Sequence, residues 1–350
     1  MTLIQTTSPS DETLARVAAS PPSAADIVAG RIERPIATPV PNLLNAVLVL
    51  LAVASWIGLL WLASRVGHPL AVFGVGIVFS YLFLTIYALL HEGCHGNLNS
   101  HPRLNYCLGV VTGLMFGSPF AMIRVTHQGH HSRNRTDPEI FDLYTDTDSR
   151  FLKTMQWYGT LLGLFWPLIP ASAVMISICP GAVQSRLFTR PPLGNANLAD
   201  LGRGDVWRMR IELLLLAGML AGLHAWMGLA WWHWLILYGC ASFNWSTRQY
   251  IGHAFTPRDI IDGALNLRHN GLMSRLLLFG EWDLTHHRRP EVPWIYLPRI
   301  TSDTEQRPGY HAQYWRQWTG PRRTEEAEPS VDKTVEPIVH GETHQRELTG

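Results

Sequence analysis

Hydrophobic and polar positions along this chain are sorted into long blocks rather than into helical turns. Residues 1–40 are rich in Pro, Ser, Ala and Thr and contain no apolar run. Two charge-free runs follow, LLNAVLVLLAVASWIGLLWLA (43–63) and LAVFGVGIVFSYLFLTIYALL (70–90), joined by the short link SRVGHP. A bilayer is spanned by about 20 apolar residues of helix, so this pattern predicts an antiparallel transmembrane hairpin. The apolar run over 211–245 is too long for one span and is interrupted at Met227-Gly228, which predicts a second hairpin. A soluble protein with several buried helices is the alternative, and charge-free runs of this length argue against it. Residues 319–350 are polar and of mixed charge.

Two further apolar stretches are broken. The first, 106–123, contains Gly109, Gly113, Gly117 and Pro119, and the second, 157–179, contains W-P-L-I-P at 166–170. Histidine clusters lie at the ends of the apolar blocks. If they meet at one site, His95, His127, His253 and His286 emerge on the same side, and neither broken stretch is a complete crossing. Each is then a re-entrant loop or an interfacial helix. With four spans, Arg65 alone faces the far side, while Arg186, Arg190, Arg203, Arg208 and Arg210 stay with the histidines. The positive-inside rule therefore places the histidine face in the cytoplasm. The expected fold is all-α and integral to the membrane, with four transmembrane helices in two hairpins, re-entrant or interfacial helices, and a cytoplasmic helical cap. The expected division is a disordered tail over 1–40, a membrane catalytic domain over 41–318 and a disordered tail over 319–350. The first tail, with Asp11, Glu12 and Asp26, reads as neither a signal nor a transit peptide.

Composition adds three points. Charged residues are 16% of the chain, against roughly 25% in an average soluble protein. The net charge is +1, which offers no electrostatic footprint for nucleic acid. The four cysteines show no paired spacing and read as free thiols. Histidine is the outlier, with 16 residues, many of them clustered.

In HEGCHGN, His91 and His95 are four residues apart and share a helical face. In HQGHHSRNRTDPE, His127, His130 and His131 follow an i, i+3, i+4 pattern. In EWDLTHHRRPEVPW the same spacing recurs in Asp283, His286 and His287, with Asp leading, and His253 in YIGHAF is a fourth candidate. A lone histidine on an apolar helix is usually a satisfied core residue. Eight at the membrane edge are not, because ionisable groups there are costly. Imidazole suits iron, zinc and copper. Eight such ligands exceed the four of one tetrahedral zinc and suit two metals. Two redox-active metals below apolar helices fit O2-dependent oxidation of a lipid-like substrate.

HEGCH, HQGHH and DLTHH, with a histidine before the last box and the P-x-V-P-W-x-x-L-P tail, resemble the membrane fatty acid desaturase and hydroxylase superfamily over roughly 43–300. The resemblance implies a four-span helical bundle with a cytoplasmic catalytic cap and two iron ions held by histidines. Carried over residue by residue, it implies metal ligation by His91, His95, His127, His130, His131, His286 and His287, with His253 as the isolated ligand. Asp283 departs from the pattern, standing where the usual third box has histidine. It is expected to ligate iron itself or to orient a ligand histidine. His269 is a possible substitute ligand or a loop residue, and Glu92, Asn97, Asp137 and Glu139 are candidate supporting groups. The aromatic-rich stretch over 228–245 lines a substrate tunnel or forms an interfacial belt.

The resemblance implies desaturation of a fatty acyl chain as the leading activity, with hydroxylation, ketolation and alkene-forming decarboxylation as alternatives. Iron and O2 are the expected cofactor and co-substrate. A separate electron donor of ferredoxin, rubredoxin or cytochrome type is expected, with Arg288, Arg289 and Arg299 in its docking face or against lipid headgroups. Of a different class is an intramembrane zinc protease using HEGCH and Asp262 in I-I-D-G. It leaves the second and third clusters unexplained. A transporter with a histidine relay predicts polar mid-span residues, of which the apolar runs show almost none.

Overall fold

In the computed structural model, which describes residues 38–184, 196–301 and 307–330, the first charge-free run forms helix α1 (Asn42–Ser64). Its buried positions Asn45, Val49, Ala52, Trp56, Leu60 and Ala63 recur every three or four residues and make one packed stripe. Leu43, Leu50 and Leu51 face outward. Helix α2 (Pro69–Cys94) starts from a histidine cap, where the His68 side chain accepts from the Leu70 amide, with Pro69 opening the helix. It runs past its apolar segment and carries His91 on its last turn. Both helices are long and apolar enough to cross a membrane.

The first broken stretch forms α3 (Pro102–Phe116) and α4 (Phe120–Arg133), bent by 98°. The break falls at Gly117 (φ +84°) and Pro119, and not at the other glycines. Gly109 and Gly113 lie inside α3 and admit Phe120, since a Cβ on Gly109 would lie 2.5 Å from that ring. The second stretch forms α5 (Arg150–Leu161) and α6 (Phe165–Ile178), bent by 102°. Here the W-P-L-I-P expectation is corrected. The turn is at Gly163 (φ +98°), where a Cβ would lie 2.9 Å from the Phe243 backbone. Pro167 sits in the first turn of α6, where the missing amide donor costs nothing, and Pro170 lies within the helix.

The second apolar block forms α7 (Arg203–Met227) and α8 (Trp231–Ser246), separated at Gly228 in the left-handed conformation. With 16 residues, α8 falls short of the roughly 20 that span a bilayer unaided. Among the described residues, two helices are long and apolar enough to cross a membrane, or up to four spans are possible if each bent pair counts as one. Helix α2 is central, packing against α1, α3, α4 and α8.

Beyond α8 come a turn-rich segment and the short helices α9 (Gly271–Leu276), α10 (Asp283–Arg288), α11 (Leu297–Ile300) and α12 (Tyr310–Gln317). Residues 319–330, expected within a disordered tail, instead lie against this cap. Strand β2 (Arg322–Arg323) pairs in parallel with β1 (Leu143–Tyr144). The Arg258 guanidinium donates to the Glu326 carbonyl at 2.8 Å, and the Asp137 amide donates to Glu328 at 3.0 Å. Residues 1–37 and 331–350 of the two expected tails, and Arg186 and Arg190 of the orientation argument, lie outside the described residues.

Candidate metal centre

Three helices end at one place, and each brings a histidine box within its last two turns. α2 carries His91, with His95 at its C-cap. α4 carries His127, His130 and His131, and α10 carries His286 and His287. The C-terminal ends of helices carry partial negative charge, so this convergence favours a cation. His253 arrives separately from the turns after α8.

The eight histidines sort into two groups that could each hold a metal ion. In the first, one ring nitrogen from each of His91, His95, His127, His131 and His286 lies within 4.8 Å of all the others. In the second, His130, His253 and His287 meet the same limit. The groups adjoin, with the His131 and His287 rings stacked at 4.3 Å between centroids.

The donor chemistry fits a cation. Nε2 of His127 lies 2.7 Å from Nε2 of His95 and 3.1 Å from that of His131, which is 3.1 Å from Nε2 of His286. A neutral imidazole has one N–H and one lone pair, so one Nε2 atom cannot act as both donor and acceptor to two neighbours. A metal among these lone pairs relieves the conflict. Burial first, and then the neighbouring imidazoles, hold His286 and His287 well below the ordinary histidine pKa. Both are therefore neutral, as ligands must be, at neutral pH.

The opposite ring nitrogens have partners that set orientation. His130 Nδ1 is 2.9 Å from Glu139 Oε2, and His253 Nδ1 is 3.0 Å from the Gly263 carbonyl. Such bonds place the proton on Nδ1 and leave the lone pair on Nε2. Asp283 Oδ2 lies 3.2 Å from His253 Nε2, and Oδ1 lies 3.9 Å from His287 Nε2. The carboxylate thus stands beside the three-histidine group. Gly252 makes room for it, since a Cβ there would lie 2.2 Å from Asp283 Oδ2.

The other expected residues divide. Glu92 is buried and accepts from the Trp294 amide at 3.1 Å, tying the first box to the segment after the third. The Asn97 side-chain amide donates to the Pro290 carbonyl at 3.1 Å and ties the same two segments. Asp137 pairs with Arg258 at 2.6 Å. His269 is exposed, bonds Ser274 Oγ at 2.8 Å, and belongs to neither histidine group. Asp262 is exposed and paired with Arg288 at 2.7 Å, so it is not gathered with His91 and His95. The protease reading is not favoured.

Sequence reasoning missed the buried Arg135. Fully enclosed at φ +62°, it donates to Asp142 at 2.7 Å, to the Tyr250 hydroxyl at 3.0 Å and to the Thr256 carbonyl at 2.9 Å. Asn134 beside it donates to the Gly263 carbonyl at 3.2 Å, the same group that orients His253. The polar run SRNRT after the second box carried the only signal, and nothing in it separates a buried arginine from a solvated one.

The comparisons with known proteins agree with this geometry. The chain is 23% identical over 274 residues to the beta-carotene ketolase of Paracoccus sp. (strain N81106 / MBIC 01143), covering 72% of this chain and 90% of that protein. The pattern of the fatty acid desaturase family, which is known for di-iron centres, matches residues 67–319 and takes in all eight histidines. This is a membrane oxidoreductase, and the chain belongs to the fatty acid desaturase family.

Proposed function

We propose that the protein is an O2-dependent di-iron oxidoreductase that desaturates a fatty acyl chain. The observation that carries this reading is the gathering of the seven box histidines and His253 into two adjoining groups at the end of an apolar bundle. One iron is assigned to His91, His95, His127, His131 and His286. The other is assigned to His130, His253 and His287, with Asp283 as its carboxylate ligand. Bound there, two irons supply the oxidising power, drawn from O2, that no side chain has against an unactivated C–H bond.

The protein's own contribution is placement and exclusion of water. Glu139 and the Gly263 carbonyl aim His130 and His253. Phe83, Phe116 and Trp245 close the bundle on the apolar side of the first group. In this reading the two hairpins, α1–α2 and α7–α8, make four crossings, and the bent pairs lie in or on one leaflet. The cap faces the cytoplasm and meets an external electron donor of ferredoxin, rubredoxin or cytochrome type.

Ketolation of a long apolar isoprenoid is the second reading, favoured by the similarity to the beta-carotene ketolase across most of that protein's length. Metal analysis of the detergent-purified protein tests the class. Two irons per chain, lost in a His130→Ala, His131→Ala double variant, are expected. One zinc, indifferent to those substitutions, would sink it. Mass analysis of lipids from producing cells then separates the readings, since desaturation removes two hydrogens and ketolation replaces two hydrogens on one carbon with an oxygen.

A further inference from the structure

Tyr250 lies in the turns between α8 and His253, and it is buried although its side chain ends in a hydroxyl. Its ring packs edge-on against Trp157 and Phe141, at 5.6 and 5.3 Å between centroids. The hydroxyl donates to the Glu139 carbonyl at 2.7 Å. It accepts from the Arg135 guanidinium at 3.0 Å and from the Phe141 amide at 3.3 Å. A tyrosine hydroxyl donates one proton and accepts at its oxygen, and here both capacities are used within the protein. One oxygen thus joins the residue just past the second histidine box, the 139–141 segment and the turns that follow α8.

Two histidines of the metal centre depend on the pieces so joined. Glu139, whose carbonyl Tyr250 holds, turns its carboxylate to His130 Nδ1 at 2.9 Å. His253 donates its amide to the Tyr250 carbonyl at 3.1 Å, so its place is set from Tyr250 itself. Asp142 closes the frame, accepting from Arg135 at 2.7 Å and from the Phe255 amide at 2.5 Å. His130 and His253 are two of the three histidines of the second group, with ring centroids 4.9 Å apart. Of the five-histidine group, His91 and His95 come from α2 and His286 from α10, helices that supply no residue of this frame.

We infer that Tyr250 is a positioning residue for the three-histidine group. Its hydroxyl holds the Glu139 segment and the His253 turn in one register, so that His130 and His253 face a single metal ion. The inference rests on the two-metal reading proposed above. Removing the hydroxyl takes a partner from Arg135, the Phe141 amide and the Glu139 carbonyl at once, and a buried polar network left partly satisfied rearranges. The two arms then settle independently, and the site they share loses its geometry while the five-histidine group keeps its own.

Tyr250→Phe removes the hydroxyl and keeps the ring. The test titrates the full-length, detergent-solubilised protein, stripped of metal, with Co2+, whose visible absorption reports the ligand field of each site. Wild type is expected to take up two ions per chain, and the component absent from His130→Ala marks the three-histidine group. In Tyr250→Phe that component weakens by about tenfold, as when other groups that orient a ligand are removed, and its absorption band shifts. The other component is unchanged. Trp157→Phe, which disturbs the same packing and spares the hydroxyl, lowers the midpoint of thermal unfolding and leaves both components in place. Asp142→Asn, which weakens the same frame from its other side, carries the test if Tyr250→Phe does not fold. Equal weakening of both components, no weakening of either, or the same loss in Trp157→Phe would make Tyr250 a packing residue and overturn the inference. A wild-type protein that binds one Co2+ per chain would overturn the two-metal reading beneath it.

Discussion

Asp283 shows how far a single residue can be read. Its spacing from His286 and His287 repeats that of His127 from His130 and His131, which marked it as a ligand or a supporting group. Its carboxylate lies nearer His253 than His287, a partner 30 positions away in the chain that spacing could not name. If Asp283 binds iron, Asp283→Ala lowers iron content toward one ion per chain, and Asp283→His restores most of it. Elemental analysis of the two purified variants decides this, and undiminished iron in Asp283→Ala would remove Asp283 from the ligand set. Glu139 was legible only as one of several acidic residues near the second box, and its bond to His130 Nδ1 came from the fold of the 134–142 segment. His269 was the converse case, a suggestive histidine in sequence that the chain carries away from the centre.

At the scale of the element, glycine proved the hardest signal to interpret. Three glycines in the 106–123 stretch read alike, yet only Gly117 ends the helix, because only it takes the left-handed conformation. Gly109 and Gly113 serve packing, letting Phe120 at the start of α4 press against α3 across the bend. Gly109→Ala is therefore expected to destabilise the protein by ~1–3 kcal/mol through overpacking, seen as a lower midpoint of thermal unfolding in detergent. An unchanged midpoint would mean that the α3–α4 corner relaxes freely. The same substitution displaces the entry into α4, which carries three of the box histidines. Bound metal should therefore weaken along with stability.

For the molecule as a whole, the open quantity is the number of crossings. The proposed arrangement puts the loop after α2, the region between α6 and α7, and the C-terminal segment on one side of the membrane. Reporter tags after residues 100, 185 and 320 are expected to be cytoplasmic in all three cases. A tag at 185 on the opposite side would make α5–α6 a complete crossing, and the two-hairpin arrangement would have to be redrawn. The fold already limits the choice. α8 is short for an independent span, and it packs along α2, the longest apolar helix.

What the sequence determined by itself was the chemistry and its general setting. Charge-free runs of bilayer length and imidazoles at helical spacing are local patterns. The physics behind them, desolvation of charge and the helical repeat, acts within one segment. The tertiary structure alone decided which histidines share a group. It also decided that Asp283 stands beside His253, that Arg135 and Asn134 brace the His253 turn, and that the 319–330 segment lies against the cap. Each of these depends on contacts between residues far apart in the chain. Such contacts are set by close packing and by the need to pair every buried polar group, neither of which leaves a periodic trace in the sequence.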